Sequence, residues 1–297
     1  MHTTLRAVVL KVGATLAFTS MYALIKLAGD VAIGEVVFFR SAFALIPLFA
    51  FSLFTVGPRA TIRTTQPKLH LVRSACGLAS MLFTFVALQL LPLAVVTVIG
   101  FLAPVFAVLL AAFLLHEQVG VLRTLAVAVS LAGIVLVFAA QDGFAFALSS
   151  GYGIGVLLAI VGSVLSAFVV VLIREMTRHE RSETIVFYFM GLGAVAGALS
   201  MLWMHTALSL PQALLLCAAG LLGGAGQIAM TFSYRLAEAS LLAPLDYLAF
   251  VWASLLGFAF FREVPGVPQL CGSAVIIVAG LLIMIDQRRR VAAAKVV

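Results

Sequence analysis

Residues 88–120 read LQLLPLAVVTVIGFLAPVFAVLLAAFLLHEQVG, and residues 234–266 read YRLAEASLLAPLDYLAFVWASLLGFAFFREVPG. In the first stretch nothing charged stands between Leu93 and Leu115, a run long enough to cross a bilayer as a helix of about 20 residues. Laid over each other without a gap, the two stretches agree at nine of 33 positions: Leu90, Leu102, Ala103, Val105, Ala107, Leu109, Leu110, Glu117 and Gly120. The leucines carry little weight, because apolar helices match often. The helix ends carry more: His116 and Glu117 stand opposite Arg262 and Glu263, each pair followed by a glycine three residues on. A weaker echo sets residues 35–39 (EVVFF) over residues 183–187 (ETIVF). The chain therefore reads as two related halves, offset by 146–148 residues.

Outward from these stretches the same texture continues. Of 297 residues, 64% are hydrophobic and 10% charged. Globular domains hold about 25% charged residues. A soluble fold could not coat so much apolar surface, whereas lipid accepts it. Apolar runs fall at 9–28, 34–56, 70–91, 93–115, 121–140, 151–173, 183–204, 212–234, 239–261 and 267–286. Gly57-Pro58, Leu91-Pro92, the Gln141-Asp142-Gly143 turn, Leu210-Pro211, Pro265 and Pro268 punctuate them. The expectation is an all-α membrane protein with ten transmembrane helices. The first run follows Arg6 and Lys11 as a signal peptide would, but lacks a clean small-residue cleavage site before Asp30 and is expected to be retained.

With the N-terminus cytoplasmic, ten spans put Arg6, Lys11, Arg59, Arg63, Lys68, Arg73, Arg123, Arg174, Arg178, Arg181, Arg235, Arg288, Arg289, Arg290 and Lys295 on the cytoplasmic side. These are 15 of the 18 basic residues; Lys26 and Arg262 lie on the other side and Arg40 within the second span. That bias is what the positive-inside rule predicts. It also accounts for the net charge of +7 without nucleic acid. Cys76, Cys217 and Cys271 are isolated in apolar runs, and the five histidines are scattered near helix ends, so no disulfide framework, metal site or cofactor is expected.

Five spans per half is an odd number, so the second half must insert upside down. The expected domains are residues 1–146 and 147–297, two inverted five-helix repeats. Such repeats commonly enclose a mid-membrane solute site and expose it to each side in turn. A membrane enzyme would gather its acid, base or metal residues at one depth. A channel would show a filter loop or polar stripe, and a primary pump would show nucleotide motifs. None of these patterns is present in the sequence.

The segments from Ala87 to Gln118 and from Tyr234 to Pro265, with Phe38-Phe39-Arg40 in the second span, resemble the EamA branch of the drug/metabolite transporter superfamily. The likeness runs from about residue 8 to residue 286. It implies a secondary carrier of the inner (cytoplasmic) membrane with both termini cytoplasmic. It also implies a central cavity lined mainly by spans 1, 3, 4, 6, 8 and 9. Family substrates include amino acids, purines, riboflavin and sugars, so the resemblance points to a small-molecule partner and leaves its identity open. The expected function is export of amino acids or related zwitterions, with import of a vitamin or nucleobase as the alternative. Protons are the expected coupling ion, and the chain is expected to be a monomer or homodimer.

Intramembrane polar residues are expensive and therefore point to sites. Asp246, about a third of the way into the ninth span, is the sharpest candidate, as a substrate-amine contact or proton-coupling group. Arg40 is read as an inter-helix anchor or a holder of a substrate carboxylate. Lys26 either snorkels outward or meets an anionic substrate or Asp30. Tyr22, Ser80, Thr97, Ser163, Gln227, Thr231 and Tyr247 are candidates for the substrate pathway or for helix–helix hydrogen bonds. Phe101 and Trp252 are candidates for apolar cavity walls. Gly220, Gly223, Gly224 and Gly226 permit either close helix approach or a flexible lining. Glu117 and Glu263 are read as gating or end-pairing residues, with Arg123 or Arg262 as partners.

Overall fold

The computed structural model describes residues 2–115, 121–138, 151–237 and 242–294. Among these it contains helices and no strand. The helices are α1 (His2–Leu27), α2 (Ile33–Phe54), a short α3 (Pro58–Ile62), α4 (Pro67–Leu90), α5 (Leu93–Gly100), α6 (Ala103–Leu115) and α7 (Val121–Phe138). They continue with α8 (Gly151–Met176), α9 (Ser182–Ser200), α10 (Leu210–Leu236), α11 (Leu248–Phe261) and α12 (Val267–Ala294). A 3₁₀ turn, Ala243–Tyr247, leads into α11. Among the described residues seven helices are long and apolar enough to cross a membrane, and Leu93–Ala107 and Val267–Leu282 are shorter apolar segments.

Two of the expected runs are interrupted. The run 93–115 breaks at Phe101 and Leu102 between α5 and α6. Pro104 lacks an amide proton and its ring clashes with the carbonyl four residues back, so the turn before it cannot continue as regular helix. In the segment 242–261, Pro244 opens the 3₁₀ turn and regular helix begins only at Leu248. The junction of Tyr247 with Leu248 aligns with Phe101 and Leu102 at the 146-residue offset, so both segments change geometry at equivalent positions.

Packing pairs elements across the two halves. α1 packs along α10, and α4 along α8. α2 lies against both α9 and α10, α7 lies against α12, and α5 faces α11. Glycines set the closest of these approaches. A Cβ on Gly220 would come within 2.6 Å of Phe43, and one on Gly224 within 2.4 Å of Pro47, both on α2. Gly223 and Gly226 face Met21, Ala17 and Phe18 of α1 in the same way. The glycine cluster is thus a close-contact seam with two faces, and the alternative of a flexible lining does not apply. α10 starts with a capping box in which Ser209 accepts from the Gln212 amide and Gln212 accepts from the Ser209 amide.

The apolar core gathers on Leu88, Leu91, Leu93, Val98, Ile99 and Leu102, around the join of α4 with α5. Many large apolar side chains face outward, among them Phe54, Leu214 and Phe258. Such a surface suits acyl chains rather than water. Trp203 is 77% exposed just past the end of α9, where an amphipathic ring suits the lipid–water boundary. On the face that carries the α8–α9 turn, Glu180 clasps residues 64–66. It accepts from the Thr64 hydroxyl at 2.6 Å and the Thr65 amide at 2.8 Å. Burial alone would raise its pKa, but these hydrogen bonds outweigh it and hold the carboxyl below the ordinary value.

Candidate functional site

α1 carries Lys11, the cavity-facing Tyr22 and Lys26 in order. Lys11 and Lys26 lie roughly 22 Å apart along a helix that rises 1.5 Å per residue. Between them a cavity of about 490 Å³ opens. α1 contributes Thr15, Phe18, Thr19 and Tyr22; α4 contributes Ser80 and Thr84. The α5–α6 break supplies Thr97, Gly100, Phe101 and Pro104, α8 supplies Ser163 and Ser166, and the 3₁₀ turn supplies Asp246 and Tyr247. The two broken segments thus bring their unwound parts to one cavity.

Lys11 anchors one end of this wall. Its side chain is 1% exposed, and its ammonium lies 2.7 Å from Asp246 Oδ1. It also donates to the Tyr234 hydroxyl at 2.8 Å. Asp246 is 44% exposed, with the cavity on its open side. Lys11 and Arg73, both counted among cytoplasmic charges in the sequence, are in fact buried in the helix bundle. Asp246 in the 3₁₀ turn supplies the counter-charge for Lys11, whereas Arg73 lies over the Phe189 ring.

Lys26 ties the other end. Its ammonium lies 2.6 Å from Glu263 Oε1 and also donates to the Leu91 carbonyl. Glu263 Oε2 in turn accepts from the Leu93 amide at 2.9 Å. Lys26 therefore pairs with Glu263, not with Asp30, which is exposed. Glu263 likewise pairs with Lys26 rather than Arg262, whose left-handed backbone (φ 54°) turns the chain out of α11. Glu117 lies outside the described residues, as do Gln141, Asp142 and the boundary between the expected repeats.

The other candidates divide. Ser80 donates to the Gly162 carbonyl and Ser163 to the Ile99 carbonyl, each at 2.8 Å, so both join helices while lining the cavity. Thr97 donates to the Leu93 carbonyl within its own helix. Phe101 and Tyr247 meet edge to face at 4.9 Å between centroids. Trp252 stands behind the wall and donates to the Thr15 hydroxyl at 3.2 Å. Gln227 and Thr231 do not reach the cavity: α10 turns them toward Ser182, Glu183 and Leu48, in a narrow crevice between helices. Correspondingly, α12 rather than α10 supplies a lining residue, Gly280, which departs from the expected set of spans.

Arg40 lines a second cavity of about 210 Å³, together with Arg73. Tyr22, Ser80, Thr84 and Ser166 border both cavities, so the two are adjacent. The Phe189 ring underlies both guanidiniums, with Arg73 Cζ 3.9 Å and Arg40 Cζ 5.6 Å from its centroid. Sequence reading missed Arg73 because it stands only six residues into α4, where a basic residue ordinarily marks a cytoplasmic helix end.

Comparison with known proteins shows the family. The model of the EamA-like transporter family matches residues 5–139 and again residues 153–285. The chain belongs to the EamA-like transporter family. It is 28% identical over 276 residues to the pseudopaline exporter CntI of Pseudomonas aeruginosa strain UCBPP-PA14, covering 92% of this chain and 93% of that one. It is 25% identical to an S-adenosylmethionine uptake transporter of Rickettsia felis, over 86% of this chain and 84% of that one. A riboflavin transporter of Rhizobium johnstonii is 28% identical over 78% of this chain and 74% of its own length. A solved crystal structure superposes with a TM-score of 0.66 at 22% identity, over 95% of this chain and 98% of that one, which speaks for the fold alone. This EamA-family chain is thus a multi-pass membrane protein of transporter type, and its relatives carry small molecules in both directions.

Proposed function

We propose that the chain is a secondary active transporter that exports an amino acid or related zwitterionic metabolite by alternating access. In this reading ten helices form two inverted repeats, residues 1–146 and 147–297, in the cytoplasmic membrane with both termini inside. The observation that carries it is the cavity between broken helical segments from both halves, with the Lys26–Glu263 latch beyond one end. The packing supports the inverted repeat. Exchanging the halves turns the α1–α10 contact into the α8–α4 contact and leaves α2–α9 and α7–α12 unchanged. Phe101 and Tyr247, aligned at the 146-residue offset, also touch each other, as equivalent residues do near a two-fold axis.

In the proposed cycle, solute enters between Ser80, Thr97, Phe101, Ser163 and Tyr247. Its amine, or a proton, competes with Lys11 for the open side of Asp246. Arg40 faces the solute from the adjoining cavity. Lys26 and Glu263 hold the far end shut until they separate. Trp252 supports the wall through Thr15, and Gln227 and Thr231 serve the helix seam. Reconstitution tests the reading. Proteoliposomes under an imposed pH gradient should exchange labelled solute from a panel of amino acids, riboflavin, purines and organic cations. Loss of solute-stimulated exchange across the whole panel would refute it.

A further inference from the structure

Arg40 and Arg73 are both more than nine-tenths buried and stand on opposite elements, α2 and α4, around one cavity. Arginine stays charged in proteins, so burial cannot neutralise the pair. Two like charges out of water are costly unless an anion joins them. Among the described residues no carboxylate pairs with either guanidinium. Arg40 Nη1 reaches only the Met190 sulfur, at 3.2 Å. Arg40 Nε and both Nε and Nη1 of Arg73 are buried without a hydrogen-bond partner. The Phe189 ring lies within cation–π reach of both guanidiniums, and their remaining N–H forks suit a planar oxyanion.

The charges lining the two adjacent cavities do not balance. Lys11 balances Asp246, which leaves Arg40 and Arg73 uncompensated among the described lining residues. A neutral zwitterion would leave that excess in place. A solute with two carboxylates would cancel it.

We infer that the Arg40–Arg73 chamber is a carboxylate-binding subsite, and that the transported solute carries at least two carboxylate groups. The inference rests on the transporter reading only for what becomes of the anion; the subsite itself binds with or without transport. The solute's body then lies across Ser80, Thr84 and Ser166, which border both cavities, toward Phe101 and Tyr247.

The test is a thermal-stability titration of the purified full chain in detergent at fixed ionic strength. Its arms are succinate, the neutral succinamide, inorganic phosphate and chloride. Succinate should raise the melting temperature saturably, and succinamide should not. Arg40→Gln and Arg73→Gln should each weaken the apparent succinate affinity by about tenfold or more, the loss expected for a charge-assisted hydrogen-bonded pair. Arg73→Lys keeps the buried charge and so keeps the fold, but loses the fork; it should weaken succinate binding by less than Arg73→Gln. If the glutamine variants fail to fold, the lysine variant alone decides, because a wild-type response in it would overturn the inference. An equal response to chloride would reduce the site to a counter-ion seat and overturn it, and a phosphate response stronger than succinate would overturn its carboxylate identity. Solute exchange that persists without any succinate effect would sink this inference and spare the transporter. Succinate binding in a protein that exchanges no solute would do the reverse.

Discussion

Along the seam between α1 and residues 243–263, each lysine of α1 meets a carboxylate: Lys11 meets Asp246 and Lys26 meets Glu263. Across the cavity, on α2 and α4, two arginines share a chamber with no carboxylate among the described residues. The first wall satisfies its charges internally, so its ion pairs can hold helices together and separate when something competes for them. The second wall does not, so its charges await an anion from outside the chain. A structural ion pair and a solute site are both buried charge; what separates them is whether the partner belongs to the protein.

The largest effect that can break this contrast is at Asp246. Asp246→Asn leaves the Lys11 ammonium buried without its anion, and should cost about 3 kcal/mol, the low end for breaking a buried pair because Asp246 opens to the cavity. Melting of the purified variant in detergent would read this. Adding Lys11→Met should return most of the lost stability. If the double variant is no better than Asp246→Asn alone, Lys11 and Asp246 do not act as a pair. Transport lost in both variants would then separate a role of Asp246 toward solute or proton from its role toward Lys11.

A smaller effect should appear at the other pair. Lys26→Met removes the tie among α1, the Leu91–Leu93 turn and the end of α11. A loss of about 1.4 kcal/mol would shift the opening equilibrium about tenfold. Thr97→Cys, in a background without Cys76, Cys217 and Cys271, should then react about tenfold faster with an impermeant maleimide. An unchanged rate would make Lys26 and Glu263 a static brace.

The smallest effects sharpen the comparison by setting charge aside. Gly224→Ala pushes a methyl group into Pro47 and the Ala44 carbonyl, and should cost about 1 kcal/mol of stability, the low end for overpacking. Gly191, also helical, has nothing within 4 Å of its would-be Cβ. Gly191→Ala should be neutral or stabilise by up to about 1 kcal/mol, through helix propensity alone. Equal melting temperatures for the two variants would mean that the α2–α10 seam is not tight.

Apolar run length made the helices legible in the sequence, because a spanning segment must satisfy its backbone internally and its side chains in lipid. The aligned helix ends and the intramembrane Asp246 were legible for the same reason: departures from apolar monotony stand out. The partners were not. Whether Lys26 meets Asp30 or Glu263, whether Gln227 faces a cavity or a crevice, and whether Arg73 lies at a surface or beside Arg40 depend on helix rotation and on which helices touch. Contacts such as Lys26 with Glu263 join residues far apart in the chain, and no local periodicity encodes them. The sequence by itself determined that this chain lies in a membrane as helices and where its costly charges fall; the tertiary structure decided which charges cancel one another and which face the cavity.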